Sequence, residues 1–290
     1  MSAHAVRARP WNPRRLAGVS IVNAFLLGIG VLAVYPYLVM IFGGLKSAGE
    51  LSTNPSGVPH QPTLSNFTTL FTGRTGSLMR RALLNTFIVS IPFTILTVVL
   101  SAMAGYAFAK YRFRGRELIF ALLIASMLVP PEVNIPTLYV IFAHINWLNT
   151  YQVQILPGTA SVLGMFMARQ YMQSIPDDIL EAASVDGAGH WRRFWRFTLP
   201  LSAPVLGAIA LLTFVLKFTD YLWPLVMVSN PKYEPIMVAL PSLSTSQTGF
   251  IVEYELVLAG CVVVTLPLLL LFLRFQDTLI RGVAAGAVRG

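Results

Sequence analysis

Long uncharged apolar runs separated by short polar ones dominate this chain, and six of them are of roughly the length, about 20 residues, that a helix needs to cross a hydrocarbon core. They are Leu16–Leu45, Ala82–Ala109, Leu118–Ala143, Ile145–Ala168, Phe197–Ser229 and Leu256–Leu273. The third carries Glu132, the fifth carries Lys217 and Asp220, and the other four carry no charge. The pattern predicts an all-α integral membrane protein with six transmembrane helices. Its parts are an N-terminal segment (1–15), a first transmembrane helix (16–45), an outer segment (46–81), a five-helix core (82–273) and a tail (274–290). Within the outer segment, Asn54-Pro55-Ser56-Gly57-Val58-Pro59-His60-Gln61-Pro62 is too rich in turn formers for a continuous helix or strand. No repeat of fixed period and no low-complexity tract interrupts this scheme.

Composition agrees with the pattern. The 290 residues are 55% hydrophobic and 11% charged, too apolar for a soluble domain of this size to cover with a polar surface. The formal charge of +9 is spread over short clusters beside apolar runs, never along one polar face, which points to lipid headgroups and excludes nucleic acid as a partner. The clusters alternate. Arg7 to Arg15, Lys110 to Arg116, Arg169 to Arg196 and Arg274 to Arg289 hold most of the basic residues, so these segments and both termini are expected on the cytoplasmic side of a bacterial inner membrane. The uncharged run after Arg15 is about twice the length of a signal-peptide core and reads as a retained span. Cys261 stands alone inside an apolar run, where it forms neither a disulfide nor a zinc site.

Several chemistries have no support. None of Lys46, Lys110, Lys217 and Lys232 follows a glycine, so the phosphate-binding loop of an ATPase is not in this chain. His4, His60, His144 and His190 are scattered and form no H-E-x-x-H pair, so no metal is expected. There is no G-x-S-x-G elbow and no carboxylate pair flanking a cleft, and thus no catalytic residue to name.

The stretch between the fourth and fifth apolar runs, 169–198, is the most informative. Ser174 suits a helix cap, Pro176 a first turn, and Asp177, Asp178 and Glu181 the positive end of a helix dipole, which predicts a helix from about Pro176 to Val185. Gly187 and Gly189 break it, after which Trp191, Phe194 and Trp195 recur at helical spacing. Physics alone leaves two readings open: an amphipathic segment lying in the membrane interface, and a docking element for a partner.

The same residues resemble a family pattern: E-A-A, three residues, G, nine residues, I, one residue, L-P. It marks the permease subunits of bacterial ABC importers. Glu181-Ala182-Ala183, Gly187 and Leu199-Pro200 match in register, with Phe197 where isoleucine is usual. Leu84-Asn85-Thr86, Ile135-Pro136-Thr137-Leu138-Tyr139, Asp186-Gly187-Ala188 and the tail Arg281–Gly290 are similar to the MalG-like sugar permeases in particular. Phe218-Thr219-Asp220 stands where that group reads W-N-D or W-N-E. The resemblance implies the MetI/MalG-like permease fold, with a cytoplasmic coupling helix formed by Glu181, Ala182, Ala183, Asp186 and Gly187 and with Leu199 and Pro200 completing the motif. It also implies a set of partners: a second, MalF-like permease, an ATPase dimer that binds the ATP and magnesium this chain does not, an extracytoplasmic solute-binding protein, and a carbohydrate cargo. In such permeases the tail reaches the ATPase, and the outer loop from Asn230 to Glu255 inserts into the binding protein; an ordinary exposed connection is the other reading of that loop.

Candidates for the solute path are Glu132, Asn134, Asp220 and Tyr221. Ionisable groups in a span are expected to face the bundle interior, a partner or water. Glu132, beside Pro130, Pro131 and Pro136, either lines a path or bonds a neighbouring helix. Lys217 and Asp220, at i and i+3, are expected to pair. Two rival functions share the composition: an importer of the same type for glycerol phosphates, and an ion-coupled secondary transporter, for which three scattered ionisable groups and no repeat are thin support.

Overall fold

The computed structural model describes residues 13–73, 76–244 and 253–287; Arg7, Arg9, residues 245–252 of the outer loop after Asn230 and the last three residues of the tail lie outside the described residues. It is helical throughout, with no strand among the described residues. Nine helical elements organise it: α1 (Pro13–Gly44), α2 (Gly76–Lys110), α3 (Arg116–Ser126), α4 (Ile135–His144), α5 (Val162–Gln173), α6 (Asp177–Val185), α7 (His190–Leu201), α8 (Ala203–Phe218) and α9 (Tyr254–Ala287). Short turns of helix fill the connections.

Three helices, within α1, α2 and α9, are long and apolar enough to cross a membrane, and the number rises to five if the bent pairs α3 with residues 131–144 and α7 with α8 each count as one span. Pro36, Pro92 and Pro267 sit inside the three long helices without ending them. That is tolerable where lipid offers the backbone no alternative hydrogen-bond partner and neighbours re-satisfy the freed carbonyl.

The expected continuous third and fifth spans are broken. Pro130 and Pro131 remove two donors, and the chain turns by 85° between α3 and the turn that leads into α4. A 77° turn at Ser202 separates α7 from α8. The expected fourth span, Ile145–Ala168, is not one helix either. Asn146 and Asn149 take positive φ values of 56° and 57°, a short helix covers only Tyr151–Ile155, and α5 begins at Val162 after the Pro157-Gly158 turn. Asparagine tolerates that backbone region because its short amide bonds locally. Here the Asn149 side-chain oxygen Oδ1 accepts from the Ser229 and Asn230 backbone amides at 2.7 and 2.8 Å, tying this break to the loop after α8.

The core lies where α2 meets α5 and α8. Small residues let the backbones approach: a Cβ on Gly105 of α2 would stand 2.5 Å from the Ala168 Cβ and 2.9 Å from the Arg169 amide of α5. One apolar cluster joins Ala102, Tyr106, Met172, Ile175, Leu180, Phe194 and Ile209 toward one end of the bundle. A second joins Met79, Phe218, Ile236, Leu240 and Leu256 toward the other. Along α2 the hydroxyl side chains of Ser90, Thr94, Thr97 and Ser101 recur on one helical face and are buried. By contrast, Leu26, Leu27, Leu32 and Val31 of α1 are exposed, as side chains meeting lipid would be.

The outer segment is anchored by a buried cation. Lys46 is fully buried and its ammonium donates to the Asn54 and Gly57 carbonyls at 2.5 and 2.7 Å, while the Asn66 amide donates to the Gly44 and Lys46 carbonyls. No helix runs from Asn54 to Leu64, in line with its turn-forming sequence.

Candidate functional site

Two regions carry the polar chemistry of this bundle. The first is a cavity of about 440 Å³ bounded by α2, the broken 127–134 segment, the Pro157–Ser161 turn and the end of α8. Each wall is a place where a helix stops or bends, so the cavity exists because the apolar runs are interrupted. Glu132 and Asn134 enter it from the single 3-10 turn Pro131–Asn134, and Lys217 and Asp220 from the opposite side. The Lys217 ammonium lies 2.8 Å from an Asp220 carboxylate oxygen and 4.9 Å from the Phe93 ring centre. The second Asp220 oxygen accepts from the Trp223 amide at 3.4 Å, and the Trp223 indole donates to the Val153 carbonyl at 2.8 Å, which holds its ring against the cavity.

Three of the four residues expected on a solute path, Glu132, Asn134 and Asp220, thus line one cavity. Tyr221 does not; its side chain is 41% exposed and turned away from the lining. Glu132 and Asn134 are exposed, and their side chains make no hydrogen bond among the described residues. Lys217 and Asp220 pair as their i, i+3 spacing predicts. Sequence reasoning missed Phe93, Thr97 and Ser161 as lining residues. The hydroxyl periodicity of Ser90, Thr94, Thr97 and Ser101 within an apolar run was a signal for Thr97; nothing marked Ser161.

The second region is the helix pair α6 and α7. Pro176 occupies the N-cap of α6, and Ser174 does not cap it: its hydroxyl donates back to the Tyr171 carbonyl at 2.7 Å, closing α5 instead. The helix therefore begins at Asp177, whose carboxylate receives the Lys110 ammonium at 2.6 Å; the same ammonium donates to the Ile175 carbonyl. Gly187 has φ +77°, the left-handed conformation that costs a residue with a Cβ about 1 to 2 kcal/mol, and the Ala188 amide returns to the Ala183 carbonyl at 2.9 Å.

Leu180 is buried in a cluster with Phe194 and Ile175 that binds α6 to the bundle, and Ala183 is buried too, whereas Asp178, Glu181, Ala182, Val185 and Asp186 form its exposed face. Of the residues implied by the motif, Glu181, Ala182, Asp186 and Gly187 are presented outward, and Ala183 is 4% exposed and serves packing. Leu199 and Pro200 sit apart from them in the last turn of α7, beside the 77° bend. Val185, 88% exposed, is the most prominent apolar group on this face and was not singled out from sequence. Across the turn, Phe194 to Thr198 widen into a π-helical stretch, a geometry common at functional sites.

Residues 97–285, which take in both regions, match the family model described as binding-protein-dependent transport system inner membrane component. The chain belongs to that family. As a permease of this kind it is a transport subunit. Among its relatives are the arabinooligosaccharides transport system permease protein AraQ of Bacillus subtilis strain 168, 31% identical over 93% of this chain and 95% of that one. Another is the sn-glycerol-3-phosphate transport system permease protein UgpE of Yersinia pestis bv. Antiqua, 30% identical over 91% and 96%. The fold is shared with the crystal structure of a bacterial ABC transporter involved in the import of the acidic polysaccharide alginate, with a TM-score of 0.78 at 20% identity, covering 93% of this chain and 99% of that chain.

Proposed function

We propose that this permease pairs with a second, different permease in a bacterial cytoplasmic membrane to form the path by which a binding-protein-dependent ABC importer takes up a carbohydrate. Six passes, with the bent pairs and the α5 region completing the count, put both termini and the α6–α7 pair in the cytoplasm. An ATPase dimer hydrolyses ATP beneath it, and an extracytoplasmic binding protein delivers the solute above it.

The observation that carries the reading is the exposed face of α6 around Glu181 and Val185, immediately before the left-handed turn at Gly187. It presents small, acidic and apolar groups on a helix anchored from behind by Leu180 and Ala183. A movement imposed on that face passes through Leu180 and Phe194 to α7 and then α8, whose far end carries Lys217 and Asp220. The path and the docking helix are thereby parts of one mechanical unit. Alternating access requires nucleotide and binding protein to favour the same conformation, each through a difference in affinity for the two states.

A relative that transports glycerol phosphate supports a second reading of the cargo. The cavity favours carbohydrate, because its single lysine is already paired with Asp220, Glu132 adds a further carboxyl, and an anionic solute would find no unpaired cation on this wall. Neutral hydroxyls can use Glu132 and Asn134 as acceptor and donor, with Trp223 and Phe93 as apolar faces.

Reconstitution with the partner permease, ATPase and loaded binding protein tests the docking role. Glu181→Lys or Gly187→Pro is expected to abolish most of the stimulated ATP hydrolysis and uptake while the permease pair still assembles. Unchanged stimulated hydrolysis in both variants would refute the assignment of α6 as the coupling helix.

A further inference from the structure

One surface is not used by the path or by the α6 face. On α7, Phe194 and Thr198 are buried, 3% and 0% exposed, while Trp191 (65%), Arg192, Trp195 (48%) and Arg196 project outward from the opposite side. Beside the start of α7 lies the loop after α2, which exposes Arg112, Phe113 and Arg114. The two segments are pinned together: the Tyr111 hydroxyl stands 2.9 Å from His190 Nδ1, which also receives the Arg193 guanidinium at 2.8 Å. None of Arg112, Arg114, Arg192 and Arg196 has a carboxylate partner among the described residues. The exposed acids, Asp178, Glu181 and Asp186, lie on α6, on the other side of the Gly187 turn, so charge is segregated between the two helices.

Orientation adds a second argument. α8 is the membrane-crossing arm of its bent pair, and α7 meets it at 77°, so α7 lies close to the plane of the membrane at the end of that span. A helix in that position with indoles and guanidiniums on its open face has the chemistry of the headgroup layer. Indoles partition to the boundary between water and acyl chains, and guanidinium forks bind phosphate oxygens in pairs.

We propose that the Trp191, Arg192, Trp195 and Arg196 face of α7, with Arg112 and Arg114, is a binding surface for the phosphate of anionic phospholipids, and that occupied lipid holds α7 in the membrane plane. This rests on the membrane reading of the bent α7–α8 pair, and not on ATPase docking by α6. Lipid, and not a protein, is the chosen occupant because the surface is at once cationic, aromatic and placed at the end of a span. Since Phe194 packs on Leu180 through the same cluster, lipid occupancy sets the resting position of α6.

The full chain in symmetric nanodiscs tests this without any partner. Brominated lipids quench indole emission on contact, and the difference between the parent chain and Trp191→Phe/Trp195→Phe isolates these two indoles from the rest. Brominated phosphatidylglycerol is expected to quench that difference signal at least about twofold more than brominated phosphatidylcholine at equal mole fraction. The excess is expected to vanish in Arg192→Gln/Arg196→Gln. Equal quenching by the two lipids, or no quenching by either, would overturn the proposal, and both comparisons use the unaltered arginines, so they hold even if the double variant misfolds. Loss of the lipid contact when the ATPase subunits are added would also overturn it, by assigning the surface to a protein. Because the nanodiscs are symmetric and the ATPase is absent from the main comparison, failure of the coupling-helix reading would leave these results unaffected.

Discussion

Single side chains decide how the polar groups of this apolar chain are housed. Lys46 is the extreme case: burying an ammonium costs several kcal/mol unless its protons are bonded, and it meets the carbonyls of Asn54 and Gly57. Nearby, Glu50 accepts from the His60 amide at 2.6 Å, and that backbone bond is the main reason its carboxyl is held below the ordinary value of 4.5. A carboxyl lowered in the folded state stabilises it above the unfolded value and loses that effect as pH falls through the folded one. Amide exchange at His60 and Gln61 is therefore expected to be slow at neutral pH and to accelerate, relative to the intrinsic rate, as the pH falls below 4.5 and through the lowered value. In Glu50→Gln that acid-dependent step is expected to be missing. Lys217 and Asp220 were legible as a pair from their spacing, since one helical turn brings i and i+3 together whatever the fold. Glu132 was legible as a polar group in a span, but its place in a cavity facing Lys217 and Asp220 depended on how distant segments pack.

Elements were less legible than residues wherever a run was interrupted. Composition and length identify α1, α2 and α9 correctly because nothing in their sequences competes with a helix except single prolines. The runs that became α3 with α4, α5, and α7 with α8 are also apolar but are cut by Pro130-Pro131, by the left-handed Asn146 and Asn149, and at Ser202. Hydropathy averages over such cuts, and so it cannot separate a straight span from a bent one. The α2–α5 contact shows why small residues matter more than apolar ones at this scale: in lipid, close backbone approach replaces the hydrophobic effect as the source of helix association. Gly105→Val puts carbon where the Ala168 and Arg169 backbone already stands. Overpacking of this kind costs about 1 to 3 kcal/mol or more where backbone must move. Thermal unfolding in detergent is expected to shift down by several degrees, with the Arg169 to Glu117 ion pair, 2.8 Å in the native bundle, disrupted along with it.

At the scale of the whole molecule, the bent helices and the cavity are one fact. Breaks at 127–134, 156–161 and 219–221 face each other, and the cavity is the space their missing turns leave. The single cysteine makes topology testable: in a Cys261→Ser background, Ser56→Cys is expected to react in intact cells with a membrane-impermeant maleimide, and Asp178→Cys only after the cells are opened. Labelling of both in intact cells would contradict the assigned sidedness. The membrane class, the helical class and the E-A-A to L-P signature were determined by the sequence alone, because each depends on local composition or short-range spacing. So were the left-handed turn at Gly187 and the pairing of Lys217 with Asp220. Tertiary structure decided which motif residues face outward: Glu181 and Val185 are presented while Ala183, two residues from each, is buried. It also decided that Glu132 and Asp220, 88 positions apart, share one cavity while Tyr221 does not. The division has a physical cause. Transfer of a segment into lipid is a sum over its own residues, whereas burial of a side chain and the meeting of distant groups depend on which helices pack together, and that is settled only when the whole bundle closes.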